Sequence, residues 1–240
     1  MSGSLAALTD IGRVRKENQD RALATTLAGG AVLLLAADGV GGAPGGALAS
    51  EETARVVAEV FEEFAGAASF PSLLLTAVNL ANERVRLLQG QTAGFENMAT
   101  TLVAAVIEGS RATIANLGDS RAYHFHARDL RQVTEDDSWV ATEVREGRLS
   151  EEDAETHPWR NVITNGIGIG DTVDPAVVSL SLAAGDALLL CTDGLFKMLD
   201  RAAMQATLAA TDAGDAARAL VEAANARGGV DNIGVALWMS

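Results

Sequence analysis

Three aspartates in this chain stand at the ends of apolar segments. Asp38 closes "AVLLLAADG", Asp193 closes "ALLLCTDG", and Asp231 opens "DNIGVALWM". Carboxylates brought together at the edge of an apolar core lose hydration and repel one another, so they take up protons or hold cations. Sites made only of oxygen ligands suit magnesium and manganese. The spacing therefore predicts a divalent metal site.

The Asp-Gly pairs at 38–39 and 193–194 also have a simpler explanation, because this dipeptide is a strong signal for a tight hairpin turn between alternating strands. Here the flanks do not alternate. A glycine-rich segment and then a helical pattern follow Asp38, and the helical pattern "GLFKMLDRAAMQATL" follows Asp193. For either pair alone a turn is favoured, but for the set a site is favoured.

Two other charged segments are ambiguous by themselves. "GRVRKENQD" places Arg15 and Asp20 in a loop between strand-like stretches, and "NLGDSRAY" places Asp119 in a turn. Taken alone, the first is ordinarily a solvated charged loop and the second a turn that joins two strands. Together with the three aspartates they give a specific order of motifs: RxxxxD, DGxGG, a Thr-Thr strand, GDSRAY, DxS, ITxxxG, TDGL and DNI.

The chain has 240 residues, of which 48% are apolar, and a formal net charge of −14. Its length and the lack of a Pro- or Ser-rich linker predict one domain over 1–240 with a sizeable core. The negative charge opposes binding to nucleic acid or to anionic membranes. No signal peptide is recognisable, and no apolar run reaches the roughly 18 residues of a membrane span, so a cytoplasmic protein is expected.

The spacing of apolar residues predicts the elements that position these groups. A polar, acidic stretch at 135–160 is predicted to be a surface excursion beside the site. The order of the elements favours an α+β fold with helices outside a two-sheet sandwich. Strands are expected at 5–10, 21–27 and 31–37, as a meander over 100–133, and at 161–170, 176–182, 186–192 and 233–239. Helices are expected at 47–64, 71–89, 200–210 and 213–227, with a short one around 138–146.

The order of motifs resembles that of the metal-dependent type 2C protein phosphatases in their compact bacterial form, from about Thr9 to Met239. The resemblance implies a central two-sheet β-sandwich flanked by pairs of antiparallel helices. It also implies hydrolysis of phosphoserine and phosphothreonine in proteins by a hydroxide that bridges two metal ions. The implied cofactors are Mn²⁺ or Mg²⁺, as two tightly bound ions and a third, weaker one.

The resemblance also implies a set of metal ligands. By the family pattern Asp38 bridges two metal ions, Gly39 offers its backbone carbonyl, and Asp193 and Asp231 complete the shell of the first ion. Asp119 matches an aspartate that can hold the third ion together with Asp193. These residue types suit the chemistry, because two divalent ions about 4 Å apart can activate a water without any protein nucleophile.

Two further residues are implied to act in catalysis. Asp20 matches an aspartate that hydrogen-bonds metal-bound water, and Arg15 matches the arginine that clamps the substrate phosphate. An arginine suits that task because its planar guanidinium can donate two parallel hydrogen bonds to phosphate oxygens.

The group that protonates the leaving alcohol stays open. Val40 stands where animal members of the family carry a histidine, so a metal-bound water is one candidate acid. His157, in the acidic excursion, is another. His124 and His126 share one face of a predicted strand, where a structural or surface role is favoured.

The implied partners are phosphorylated protein substrates, in opposition to a serine/threonine kinase, and the chain is expected to be a monomer. The alternative is a catalytically silent relative that binds phosphoprotein without hydrolysing it. Such a relative is expected to have lost an aspartate, and all five aspartates of the pattern are present. Asp137 and Asn165 stand where the family usually has histidine and arginine; these changes are expected to affect loops rather than metal ligands.

Overall fold

The computed structural model describes residues 3–40, 45–64, 68–209 and 212–240. The strands in these ranges are β1 (Ser4–Asp10), β2 (Asp20–Thr26), β3 (Val32–Asp38), β4 (Leu102–Glu108), β5 (Arg111–Leu117), β6 (Arg121–His126), β7 (Asp129–Gln132), β8 (Ala176–Ser181), β9 (Ala187–Cys191) and β10 (Ile233–Met239). The helices are α1 (Gly46–Phe64), α2 (Phe70–Gln91), α3 (Trp139–Arg145), α4 (Glu151–Thr156), α5 (Asp193–Phe196), α6 (Arg201–Leu208) and α7 (Ala213–Ala226). Within these ranges, none of the helices has the length and apolar character needed to cross a membrane.

The strands form two five-stranded sheets. The first sheet has the order β1-β10-β9-β6-β7 and the second has the order β2-β3-β4-β5-β8. Neighbouring strands are antiparallel in both sheets. The predicted α+β class and two-sheet sandwich are therefore confirmed.

Apolar side chains form three layers. Between the two sheets, Trp238 and Leu190 are fully buried. The helices α1 and α2 cover the outer face of the second sheet with residues such as Phe61 and Val78. The helices α6 and α7 cover the outer face of the first sheet with residues such as Leu220. Each helix pair can do this because its apolar residues recur every three or four positions and so form one stripe.

Most predicted elements are confirmed to within a few residues. The meander predicted over 100–133 consists of β4 to β7, and the helix predicted at 200–210 is α6, which ends at Leu208. Residue 210 lies outside the described residues, as do residues 41–44 of the glycine-rich segment after Asp38.

The strand predicted at 161–170 is wrong. Ile163 and Ile167 make only isolated bridges to other segments, the second of them to Thr100. Three glycines interrupt the apolar residues of this segment, and Gly168 has φ of +89°, a left-handed conformation that a regular strand does not contain. The segment therefore crosses the end of the second sheet, and this path brings it to the edge of the site described below.

The stretch at 135–160 contains the short helices α3 and α4. Both begin at a serine whose side chain accepts a hydrogen bond from a backbone N–H of the first turn: Ser138 for α3 and Ser150 for α4. The ring of Trp139, on α3, stacks on the ring of His157, which follows α4, with 4.7 Å between centroids. This contact joins the two helices to each other.

Candidate active site

Four of the predicted aspartates converge at one end of the sandwich. Asp38 ends β3 and lies opposite Asp20, the first residue of β2, in the register of that strand pair. Asp193 follows β9 and begins α5, whereas Asp231 lies two residues before β10, the neighbour of β9. One sheet therefore supplies Asp20 and Asp38, and the other supplies Asp193 and Asp231.

A cavity of about 110 Å³ opens at this end of the molecule. The structure brings six of the seven predicted site residues to its wall, and Asp20 is the exception among the described residues. The wall consists of Arg15, Gln19, Asp38, Gly39, Val40, Thr101, Asp119, Asn161, Ile163, Asp193, Asp231 and Asn232.

Asp20 is fully buried behind this wall. Its Oδ2 accepts a hydrogen bond of 2.7 Å from the hydroxyl of Thr192, the residue directly before Asp193. The same hydroxyl oxygen accepts a hydrogen bond of 2.7 Å from the N–H of Gly234 on β10. Asp20 is thus tied to the segments that carry the aspartates of the other sheet, and it lies beside the cavity rather than in its wall.

The Thr-Thr motif fixes the backbone of Asp38. The hydroxyl of Thr100 donates to the carbonyl of Asp38 at 2.8 Å, and the hydroxyl of Thr101 accepts from its N–H at 2.9 Å. The hydroxyls of Thr101 and Ser120 lie 2.7 Å apart, which connects this strand to the turn that carries Asp119. Because backbone groups take these bonds, the carboxylate of Asp38 is left to face the cavity.

The glycines of the two Asp-Gly pairs are required by close packing. A Cβ at Gly39 would collide with the backbone carbonyl of Gly46, at the start of α1. A Cβ at Gly194 would collide with the backbone carbonyl of Asn232. Only residues without a side chain let these segments approach so closely, and both glycines therefore have a structural reason that is independent of a hairpin.

Burial and mutual repulsion raise the pKa values of the clustered carboxyl groups. Burial, with repulsion from Asp193 and Asp231, raises the pKa of Asp20 to about 8. Burial and then repulsion from Asp193 raise the pKa of Asp119 to about 7. Burial and the charges of Asp20 and Asp193 hold the pKa of Asp38 well above its usual range. Without a cation, the cluster therefore retains protons near neutral pH.

The same carboxylates fit hard divalent cations. Two buried oxygens of the clustered aspartates have no hydrogen-bond partner among the described residues: Asp20 Oδ1 and Asp193 Oδ1. A buried polar atom without a partner destabilises the fold, so a cation in reach of these oxygens would relieve that penalty. The aspartates offer only carboxylate oxygens as metal ligands, and such ligands favour magnesium and manganese over softer metals.

Arg15 lies on the loop between β1 and β2, and its Nη2 lies 2.6 Å from Asp231 Oδ2. Its side chain is 45% exposed, so it is free to exchange this partner for another anion. Asn232 anchors the loop, because its Nδ2 donates to the carbonyls of Ile11 and Glu17, both at 2.9 Å. The DNI motif therefore positions both a carboxylate and the guanidinium that faces it.

Sequence reasoning missed Asn232, Lys197 and Asn161. The ammonium group of Lys197 contacts both Asp193 and Asn161. Burial lowers the pKa of Lys197, but Asp193 and Asp119 raise it, and the net direction is upward. The four-residue spacing from Asp193 is a signal that could have identified Lys197, because residues four apart on a helix are neighbours. No local signal marks Asn161, since it reaches the site from the end of the excursion.

The two departures from the family pattern, Asp137 and Asn165, contact each other. Asn165 Nδ2 donates to Asp137 Oδ2 at 3.2 Å. The same carboxylate oxygen accepts from the N–H of Gly118, at 3.3 Å, in the turn before Asp119. Burial raises the pKa of Asp137. The two exchanged residues are therefore partners that support the turn of Asp119.

The carboxylates lie between the ends of two antiparallel sheets, and an arginine lies at the rim of the cluster. This arrangement indicates a class of protein that binds hard divalent cations next to an anion. Comparison with known proteins then gives the family. The model of the family described as "Protein phosphatase 2C" matches residues 13–224. The chain belongs to the protein phosphatase 2C family, as its motifs predicted.

Individual relatives support this assignment. The chain is 34% identical over 233 residues to the serine/threonine phosphatase stp of Listeria monocytogenes serotype 4b (strain F2365), with 95% of this chain and 92% of the relative covered. Its structure is similar to that of the S. agalactiae serine/threonine phosphatase, with a TM-score of 0.91, 33% identity and 99% of both chains covered. It is also similar to the catalytic domain of the serine threonine protein phosphatase PstP in complex with 2 manganese ions, with a TM-score of 0.87, 31% identity and 99% of both chains covered.

Proposed function

We propose that this chain removes phosphate from phosphoserine and phosphothreonine in proteins, with two bound Mn²⁺ or Mg²⁺ ions. The observation that carries the proposal is the convergence of Asp38, Asp193 and Asp231 on one cavity whose rim holds Arg15. Membership of the protein phosphatase 2C family supports the reaction. The similarity to a phosphatase domain that binds 2 manganese ions supports the cofactor.

The carboxylates have distinct roles in this proposal. Asp38 would help to hold both cations, Asp193 and Asp231 would help to hold one of them, and Gly39 would offer its carbonyl oxygen. Bound there, the cations would activate water as the nucleophile and offset charge on the phosphate oxygens. The hydrogen bonds to the backbone of Asp38 hold its carboxylate in place before substrate arrives, so little reorganisation is required.

The remaining site residues act around this centre. Arg15 binds the substrate phosphate after its guanidinium leaves Asp231, which its exposure permits. Asp20 orients water through its place beside Asp38. Asp119 and Asp193 together would hold a third, weaker cation. A phosphate held by Arg15 would thus lie at the rim of the cavity whose wall includes Asp38.

We further propose that 1–240 forms a single phosphatase domain that acts as a cytoplasmic monomer and opposes a serine/threonine kinase. The net charge of −14 supports a protein as the partner, because a strongly negative chain is repelled by nucleic acid and by anionic membranes. The stretch at 135–160 lies next to the cavity, because Asn161, directly after it, lines the cavity wall. A phosphorylated segment of the substrate would therefore meet this excursion as it enters.

The function is tested by hydrolysis of a phosphothreonine peptide. The full chain is assayed after EDTA treatment and after Mn²⁺ or Mg²⁺ is added back. Wild type is expected to be inactive in EDTA and active with either ion, whereas Asp38→Asn is expected to stay inactive. Asp129→Asn, a matched change at the first residue of β7, is expected to behave as wild type.

Full activity in EDTA would contradict the metal mechanism. A wild-type chain that binds metal and phosphopeptide but does not hydrolyse the peptide would instead favour the silent phosphoprotein-binding alternative.

A further inference from the structure

A second group of metal-ligating side chains lies away from the carboxylate centre. His124 and His126 are two residues apart on β6, and Asp186 immediately precedes β9, which pairs with β6. His124 Nε2 lies 2.9 Å from Asp186 Oδ2, and His126 Nδ1 lies 2.7 Å from Asp186 Oδ1. One ligand atom from each of the three residues falls within 4.8 Å of the others. Two imidazoles therefore converge on one carboxylate.

This group is separate from the active site. Asp186 and Asp193 stand at opposite ends of β9, with all of Ala187–Cys191 between them. At about 3.3 Å per residue along a strand, the backbone positions of these two aspartates are roughly 20 Å apart. A change at the histidines therefore leaves the carboxylate centre untouched.

Asp186 lies where the chain passes from one sheet to the other, between β8 and β9. Its side chain is only 2% exposed, and its Oδ2 also accepts a hydrogen bond of 2.8 Å from the N–H of Ala183. The carboxylate is thus held rigidly. The side chain of His126 is 58% exposed, so the group is open to solvent on one side.

We propose that His124, His126 and Asp186 form a second metal site, for a zinc-class divalent cation, with solvent completing the coordination. Two imidazole nitrogens and one carboxylate oxygen form a ligand set that proteins use for Zn²⁺, with bonds of about 2.0–2.2 Å. Such bonds place tetrahedral ligand atoms roughly 3.4 Å apart, so the three donors need shift only by about an ångström.

Binding requires no redox chemistry. Each imidazole would bind the metal through the ring nitrogen that faces Asp186, and a proton on that nitrogen would pass to solvent or to the other ring nitrogen. The set then carries one negative charge against the two positive charges of the cation. The strongly negative chain as a whole adds to the attraction.

The two sites differ in chemistry, and this difference makes them separable. The carboxylate centre offers oxygen donors, which suit Mg²⁺, whereas imidazole nitrogens favour Zn²⁺ and related transition metals. Excess Mg²⁺ is therefore expected to fill the first site and leave the second one vacant for Zn²⁺. The competing explanation is that the histidines only hydrogen-bond Asp186 and thereby fix the β8–β9 connection.

The test is calorimetric titration of Zn²⁺ into the full chain in saturating Mg²⁺, together with thermal unfolding. The key variant is His126→Gln, because a glutamine amide can keep a hydrogen bond to Asp186 but is a poor zinc ligand. His126 is exposed, so the variant should fold. Asp38→Asn serves as the control that alters only the carboxylate centre.

We expect wild type and Asp38→Asn to bind one Zn²⁺ at the second site, and His126→Gln to bind it at least about tenfold more weakly, since loss of even an outer partner of a ligand costs that much. Metal-free wild type and His126→Gln should unfold at the same temperature, and Zn²⁺ should raise the Tm of wild type only. The proposal is overturned if wild type takes up no Zn²⁺ in Mg²⁺, if His126→Gln binds as wild type, or if Asp38→Asn alone abolishes binding.

Discussion

Lys197 Nζ lies 2.6 Å from Asp193 Oδ2 and 2.9 Å from Asn161 Oδ1. The chain thus places a cation of its own against one carboxylate of the proposed metal centre. The same ammonium connects that carboxylate to the end of the excursion. Because Lys197 takes Oδ2 and leaves Oδ1 without a partner, a divalent metal at Oδ1 would face the like charge of the lysine across the same carboxylate.

Replacement of Lys197 by methionine is expected to tighten Mn²⁺ binding. The metal would no longer face a like charge at Asp193, and a gain of roughly tenfold corresponds to about 1.4 kcal/mol. Calorimetric titration of Mn²⁺ into wild type, Lys197→Met and Lys197→Arg measures the effect, with arginine as the variant that keeps the charge. Unchanged or weaker binding by Lys197→Met would show that the lysine does not compete with metal.

Arg15→Ala is expected to raise KM for a phosphopeptide more than it lowers kcat. The guanidinium binds phosphate in both ground and transition states in the proposed mechanism, and loss of such uniform binding appears in KM. Steady-state kinetics on Arg15→Ala and Arg15→Lys measure the two constants, and lysine should recover part of the loss. If KM stays constant while kcat collapses, Arg15 acts on the transition state instead.

Asp119→Ala is expected to leave two tightly bound cations and the fold intact while turnover falls. Asp119 shares the proposed third position with Asp193 only, so that ion is held by fewer protein ligands than the others. Metal titration alongside phosphopeptide kinetics tests this expectation. The competing role is support of the Gly118 turn, where φ is +92°. In that case Tm would fall, and turnover per folded molecule and metal binding would match wild type.

The metal-free protein is expected to lose stability as pH rises from about 5 to 8.5. The pKa of Asp20 is raised to about 8 and that of Asp119 to about 7, whereas unfolded aspartates titrate near pH 4. The folded state therefore binds protons more tightly than the unfolded state. The stability that results is fully present below about pH 4 and is lost as pH rises through the pKa values of the folded state.

Thermal unfolding in EDTA across this pH range measures the trend. Each kcal/mol lost lowers the Tm of a domain of this size by roughly 2–4 °C. Asp20→Asn should reduce the slope, because an amide cannot ionise, and saturating Mn²⁺ should reverse it in wild type. A metal-free Tm that rises with pH would mean that the carboxylates are not repelling one another.

The sequence predicted the sandwich and the aspartates at strand ends from local patterns, whereas Arg15, Asp20 and Asp119 were implied only by the resemblance in the order of motifs. Apolar runs that end in aspartate identify both the buried strands and the carboxylates at their ends, as at Asp38 and Asp193. What it could not predict depends on contacts between distant segments. Asn232 reaches back to Glu17, and Asn161 meets Lys197, without any spacing that reveals either pair.

The error at 161–170 has the same origin. Isoleucines that alternate with other residues are typical of a strand, but Gly168 adopts a left-handed conformation and the segment turns across Thr100. Its neighbours in space, rather than its own residue types, determine its path. The histidines of β6 show the converse case: their shared face was predicted, whereas their convergence on Asp186 depends on the register of β6 with β9.

The carboxylate centre lies across the junction of the two sheets, with Asp20 and Asp38 on one side and Asp193 and Asp231 on the other. The same carboxylates therefore serve the proposed activity and lower the stability of the metal-free protein. A substitution such as Asp20→Asn removes repulsion from the junction and is expected to favour the folded chain, yet it also removes an oxygen that the proposed reaction uses. Substitutions that only stabilise the metal-free protein would therefore tend to remove these aspartates and, with them, the proposed activity.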